Sequence, residues 1–196
     1  MKLATLALAL GLTSPAFAAT AFSVDFEKTW DYAQLVDATY AAAGVSFTNV
    51  VAYSNGDGLG SLPNGDYYAD APSPMGIASV QLDGITNTAA YMNVAGGVSG
   101  ALSFFATATS DFEIKAYSGL NGTGTLLGTY TVTANTTDWT VWSQNAFTFS
   151  GVAQSFDLTA ANGIAGFDNI SAVPEPASLA LMLAGATVLL ARRRRG

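Results

Sequence analysis

The chain contains no cysteine and no histidine. Without cysteine it cannot use disulfide staples, even in an oxidising compartment, so its stability must come from packing or from a bound ion. Without either residue, Ser-His-Asp and Cys-His catalysis are excluded, and so are zinc sites of the usual His/Cys kind. Cations are scarce as well. Lys2 and Arg192 to Arg195 sit at the ends, which leaves only Lys28 and Lys115 against thirteen acidic residues between positions 19 and 172. That stretch carries a net charge near −11, more acidic than the −7 of the whole chain. Such a surface repels nucleic acid and anionic membranes, so no nucleic-acid partner is expected. It favours solubility and attracts divalent cations.

Long apolar runs are confined to the two ends. Met1-Lys2 supplies one positive charge, Leu3 to Leu12 is almost wholly apolar, and Thr13, Ser14 and Pro15 break the run. Ala16-Phe17-Ala18 then places small residues at the two positions a signal peptidase reads. This is the layout of a secretory signal peptide over residues 1–18, exported through the Sec machinery. Cleavage is expected after Ala18, with Ala19 the second choice.

At the other end, Val173-Pro174-Glu175-Pro176 precedes an apolar run from Ala177 to Ala191, then Arg192, Arg193, Arg194 and Arg195. About fifteen residues at ~1.5 Å rise reach about 22 Å, short of a ~30 Å hydrocarbon core. Local thinning and snorkelling arginines close that gap, and the arginines hold their end in the cytoplasm with the body outside. The three-part pattern, on a chain that also has a signal peptide, resembles the PEP-CTERM sorting tail of Gram-negative bacterial exported proteins. Gly166-Phe167-Asp168-Asn169-Ile170-Ser171 is similar to the lead-in of many members of that group. The resemblance implies processing by an exosortase, a membrane-embedded cysteine protease that cuts near Pro-Glu-Pro, and a setting rich in exopolysaccharide. An ordinary single-span anchor is the alternative.

Residues 19–172 suit one domain with a sizeable core. Strand and turn signals alternate at short spacing, which predicts an all-β fold: an antiparallel β-sandwich of jelly-roll type with about ten strands in two sheets. The clearest strand is Asp111–Tyr117, where Phe112, Ile114 and Ala116 alternate with Asp111, Glu113 and Lys115. A glycine-rich turn with Asn121-Gly122 at its heart joins it to Leu126–Thr133 as a hairpin. Further strands are expected at 45–49, 78–82, 90–94, 101–107, 139–143, 146–149, 155–158 and 166–171. Residues 31–43 form the one candidate helix, and 54–74 read as a long loop.

Four candidate sites follow. Asp25 and Glu27 alternate with Val24 and Phe26, and Asp168 lies in the last strand. In a jelly roll the first and last strands often lie side by side, which would bring three carboxylates together around a hard ion such as Ca²⁺. The layout resembles jelly-roll carbohydrate-binding modules, in which an acid of the opening strand and an Asp of the closing strand hold a structural calcium; Glu27 and Asp168 are the matching residues. The Asx-rich loop from Asn55 to Asp70 reads as turn chemistry rather than an EF-hand. Tyr67, Tyr68 and Trp142 offer rings for stacking on sugars, with core filling as the competing role. Trp139 and Trp142 are expected on opposite sides of their strand. Catalysis would have to use paired carboxylates, and Glu27 and Glu113 are the body's only glutamates.

Together these features predict an exported, non-enzymatic protein of the envelope or extracellular matrix. It begins as an inner-membrane-anchored precursor with a periplasmic body and ends at the cell surface or in the matrix. Its expected partners are signal peptidase, exosortase, the membrane through the C-terminal helix, and exopolysaccharide. A structural or adhesive protein without glycan specificity is the alternative, and a carboxylate glycosidase the weaker third.

Overall fold

The computed structural model describes residues 21–54, 68–81 and 89–173. Ala16, Ala18, Pro174, Glu175, Pro176, the apolar run 177–191, Arg192 to Arg195, Tyr67 and the Asx residues 55–66 lie outside the described residues. Among those described, no helix is long and apolar enough to cross a membrane.

The described chain is all-β, with almost no helix. Ten strands are present: β1 Ser23–Val24, β2 Gln34–Leu35, β3 Val45–Thr48, β4 Val50–Ser54, β5 Gly76–Val80, β6 Tyr91–Ala108, β7 Phe112–Tyr117, β8 Leu126–Val132, β9 Ser143–Asp157 and β10 Ala165–Val173. Two 3₁₀ turns, Ala41–Ala43 and Thr159–Ala161, are the helical content of this part. The helix expected over 31–43 is not formed. Gln34 and Leu35 pair with β4 instead, and the Phe47 amide donates to the Asp37 carbonyl at 2.8 Å. Ala33 and Asp37 adopt positive φ, which breaks any helical run. Sheet pairing here outweighs a weak helical propensity.

The strands do not form two separate sheets. Hydrogen bonds join them in one antiparallel sheet in the order β2-β4-β5-β10-β6-β9-β7-β8, with β1 also on β10 and β3 on β6. The expected short strands at 90–94 and 101–107 are the two ends of β6, and those at 146–149 and 155–158 fall on β9. Both long strands are interrupted. Register shifts fall between Asn93 and Val98 and between Ser99 and Ala101, where Gly97 and Gly100 have φ of 74° and 90°. These bulges let the sheet fold over.

The fold-over is visible in the core. β7 lies three strands from β10, which in a flat sheet means about 14 Å. Yet the rings of Phe112 and Phe167 are 5.8 Å apart. Phe104 on β6 and Tyr130 on β8, also three strands apart, stand 6.1 Å apart. The curled sheet thus closes on its own inner face, which is filled by Phe22, Phe26, Phe47, Phe104, Phe147, Phe156 and Phe167.

β10 is the centre of this arrangement. β6 runs along one edge. On the other edge β5 pairs with Gly166 and Phe167, and β1 pairs with Ile170 and Ser171. First and last strands therefore do lie side by side. The gap between β5 and β1 falls at Asp168 and Asn169, where β10 bulges and Asn169 takes φ of 48°.

Candidate functional site

The gap along β10 is filled by polar groups. Asp168 is fully buried. Its Oδ2 accepts from the Ser73 amide at 2.8 Å and its Oδ1 from the Asn169 amide at 2.7 Å; the Ser73 hydroxyl reaches both oxygens at 2.8 Å. The same hydroxyl lies 3.0 Å from the Asp25 carbonyl. Glu27 Oε1 accepts from the Met75 amide at 2.9 Å, and Asp25 Oδ1 from the Glu27 amide at 3.2 Å. Segment 73–75 is thereby laced to the chain that leaves β1. Gly76 completes the seam: a Cβ there would overlap the Phe26 carbonyl oxygen and stand 2.7 Å from Trp30 Nε1, which donates to that same carbonyl at 2.8 Å.

The electrostatics follow from this burial. Loss of solvent pushes the Asp168 carboxyl up to about 6, against the lowering effect of the Ser73 and Asn169 donors, and the Glu27 charge pushes the same way as burial. Burial, then the Asp25 charge, holds the Tyr40 phenol well above its usual range, with the Phe26 backbone acting in the opposite sense. The Tyr40 hydroxyl is buried without a well-formed hydrogen bond among the described residues. Lys28 places its ammonium 5.5 Å from the Tyr40 ring centroid.

The structure therefore brings Asp25, Glu27 and Asp168 into one neighbourhood, but not as a ready metal cage. Asp25 and Glu27 lie beyond the end of β1, with Phe26 at φ 53°, rather than alternating on a strand. Among the described residues no three acidic side chains form a ligand set for a metal ion. Backbone and Ser73 donors occupy oxygens that a cation would need. Ser73 itself carries no signal in the sequence beyond its place in a Pro-Ser-Pro run.

The aromatic candidates turn out differently from expectation. Segment 139–142 is not a strand, and Trp139 takes φ of 60°. Both tryptophans lie on one side, with ring centroids 6.1 Å and 6.4 Å from Tyr68. Tyr68 is buried beneath them, against Val51, Tyr53 and Ile77, rather than presented to solvent. Its hydroxyl bonds Ser79 at 3.2 Å, and Trp142 Nε1 donates to the Ala69 carbonyl at 3.1 Å. These rings roof the outer face of β4, β5 and β10. Tyr32 is the exposed member at 54%, set edge-on to Tyr53 at 5.4 Å.

The two glutamates hold different partners. Glu27 is bound to Met75, while Glu113 on β7 pairs with Lys115 at 3.4 Å. An open cavity of about 640 Å³, lined by Thr109, Asn135, Asp138 and Thr140, contains one acid. A smaller one of about 350 Å³ beside Val152 and Gln154 contains none.

What the fold defines is an all-β body of one folded-over sheet, whose last strand ends at Val173. At that point the sorting signal begins. Residues 172–195 match the family described as the PEP-CTERM protein-sorting motif. The match supports exosortase-dependent sorting of an exported protein. No curated protein matches the chain.

Proposed function

We propose that the protein is an envelope or extracellular-matrix component whose body is a non-enzymatic binding module delivered by its tail. The observation that carries this reading is the direct junction of a folded-over β sheet to a PEP-CTERM motif. Ala172 still pairs with Leu102 and Val173 with Ala101, so the last strand runs into the motif without a linker. The expected product is a secreted species trimmed at both ends. Mass spectrometry of the protein from cells with and without exosortase tests this. Identical full-length C-termini in both would sink it.

Carbohydrate is the ligand we assign to the body, at the rim of the aromatic roof. Exposed Tyr32 and half-buried Trp142 supply the rings there, since Tyr68 is covered. A glycan array with the tail-less body in millimolar calcium checks it. Retention of no sugar would instead favour a structural or adhesive role, which the burial of Tyr68 already supports. The glycosidase reading is the weakest, because Glu27 and Glu113 are tied to separate partners.

Calcium at Asp25, Glu27 and Asp168 is a second reading. One observation favours it: pairing of β1 with β10 gathers three acids near Lys28 alone among the described cations. An ion at about 100 times its dissociation constant adds about 2.7 kcal/mol. The melting temperature should then fall on chelation, and an unchanged value would count against the ion.

A further inference from the structure

The geometry points to the corner where β10 ends as the surface that rests on the lipid bilayer while the sorting tail is inserted. This rests on reading residues 177–191 as a membrane segment.

Both ends of the described body leave the sheet there. Ser23 pairs with Ser171, and the Ala172 amide donates to the Phe22 carbonyl at 3.1 Å. β1 and β10 are antiparallel, so the chain enters and leaves side by side. Val173 is still paired with Ala101 on β6. Only Pro174, Glu175 and Pro176 separate it from Ala177, the first residue of the apolar run. Four residue steps span at most about 14 Å. Whatever path those residues take, the corner cannot stand farther than that from the start of the membrane segment.

The corner is built to tolerate such proximity. The neighbouring stretches of β6 and β9 contribute Ser99, Gly100, Ser150, Gly151 and Val152, and Val152 is 41% exposed. No charged residue occurs anywhere between positions 89 and 110 or between 139 and 156. This is unusual in a body with a net charge near −11. A carboxylate held against a bilayer would lose hydration and meet a negative surface potential. The β6 and β9 stretches carry neither cost, and Glu175 is the one carboxylate between Val173 and the apolar run.

Two acids, Asp111 and Asp138, belong to the opposite end of β10. β10 runs nine residues from Ala165 to Val173, about 30 Å at ~3.3 Å per residue. At its far end Ala165 pairs with Ala108, and Thr109 shares a cavity with Thr137 and Asp138. Asp111 follows two residues later. The body would therefore stand with the uncharged β6–β9 stretches on the lipid and Asp111 and Asp138 at the end away from it.

Because the chain has no cysteine, single-cysteine variants give a clean test. Full-length precursor carrying Val152→Cys, Ser150→Cys or Thr137→Cys is labelled with a fluorophore and placed in phosphatidylethanolamine–phosphatidylglycerol liposomes that contain a lipid-borne quencher. Quenching should be several-fold stronger at positions 150 and 152 than at 137, and the difference should vanish for tail-less protein. A precursor that floats with the liposomes but shows equal quenching at all three positions overturns the orientation alone. Quenching at 150 and 152 that requires added exosortase overturns it in favour of a protease contact. A precursor that fails to float overturns the membrane reading and this inference with it.

Discussion

The two faces of the sheet around β10 are covered by different means. Inward, Phe167 and Ile170 meet Phe104, Phe112 and other hydrocarbon from strands that fold back over them. Outward, Gly166 and Asp168 lie beneath Tyr68, Ser73, Trp139 and Trp142, which belong to irregular chain. The inner cover satisfies most of its backbone by sheet pairing, and phenylalanine predominates among its rings, with Trp30, Tyr40 and Tyr130 beside them. The outer cover has no such ladder, and its backbone groups need side-chain partners. Hence the outer rings are tyrosine and tryptophan with polar handles. Asn135 serves the same end, accepting from the Ala108 amide and donating to the Ala106 carbonyl. One face is held by packing, the other by packing plus specific hydrogen bonds.

The largest expected effect lies inside. Phe167→Ala removes a ring 1% exposed and should cost about 3–5 kcal/mol. At about 2–4 °C per kcal/mol for a domain of this size, calorimetry should show a drop of roughly 6–20 °C. A drop no larger than that of the outer-face variants below would erase the contrast between the faces.

Next comes the outer junction. Asp168→Ala strands the buried Ser73 amide, at about 1–3 kcal/mol. Its pH dependence sharpens the point. The carboxyl titrates near 6 in the fold, against about 3.9 in an unfolded chain. The folded state therefore holds the extra proton between those values. That contribution to stability is complete below about pH 4 and is lost as pH rises through about 6. Asp168→Asn should remove this component from the stability-versus-pH curve. Superimposable pH profiles for the parent and Asp168→Asn would show that Asp168 is not the titrating group.

The smallest effect belongs to one handle of the roof. Tyr68→Phe keeps the ring and loses the bond to Ser79, for about 0.5–1.5 kcal/mol by chemical denaturation. A cost as large as that of Phe167→Ala would mean the two covers are equivalent after all.

Much of this is legible from local pattern. The β7–β8 hairpin is, because Phe112, Ile114 and Ala116 alternate with charged residues and Asn121-Gly122 marks the turn. The adjacency of first and last strands is expected from the architecture and is found. The continuity of β6 is not legible, since Gly97 and Gly100 read as breaks when they are bulges within one strand. The 139–142 segment also misleads. Its tryptophans look like strand residues, yet they pack as a roof on Tyr68. Ser73 is invisible because its partners lie 48 and 95 residues away.

The sequence by itself determined the all-β class, the acidic body free of cysteine and histidine, and the sorting motif at 172–195. These depend on composition, on alternation over a few residues and on a contiguous pattern, all of which are local. Only the tertiary structure decided that one sheet folds over on itself, that Asp168 is buried against Ser73, and that the first and last described strands lie side by side. Those outcomes depend on which distant strands pair and in what register. That choice is made by burial summed over the whole chain, and no short window of residues contains it.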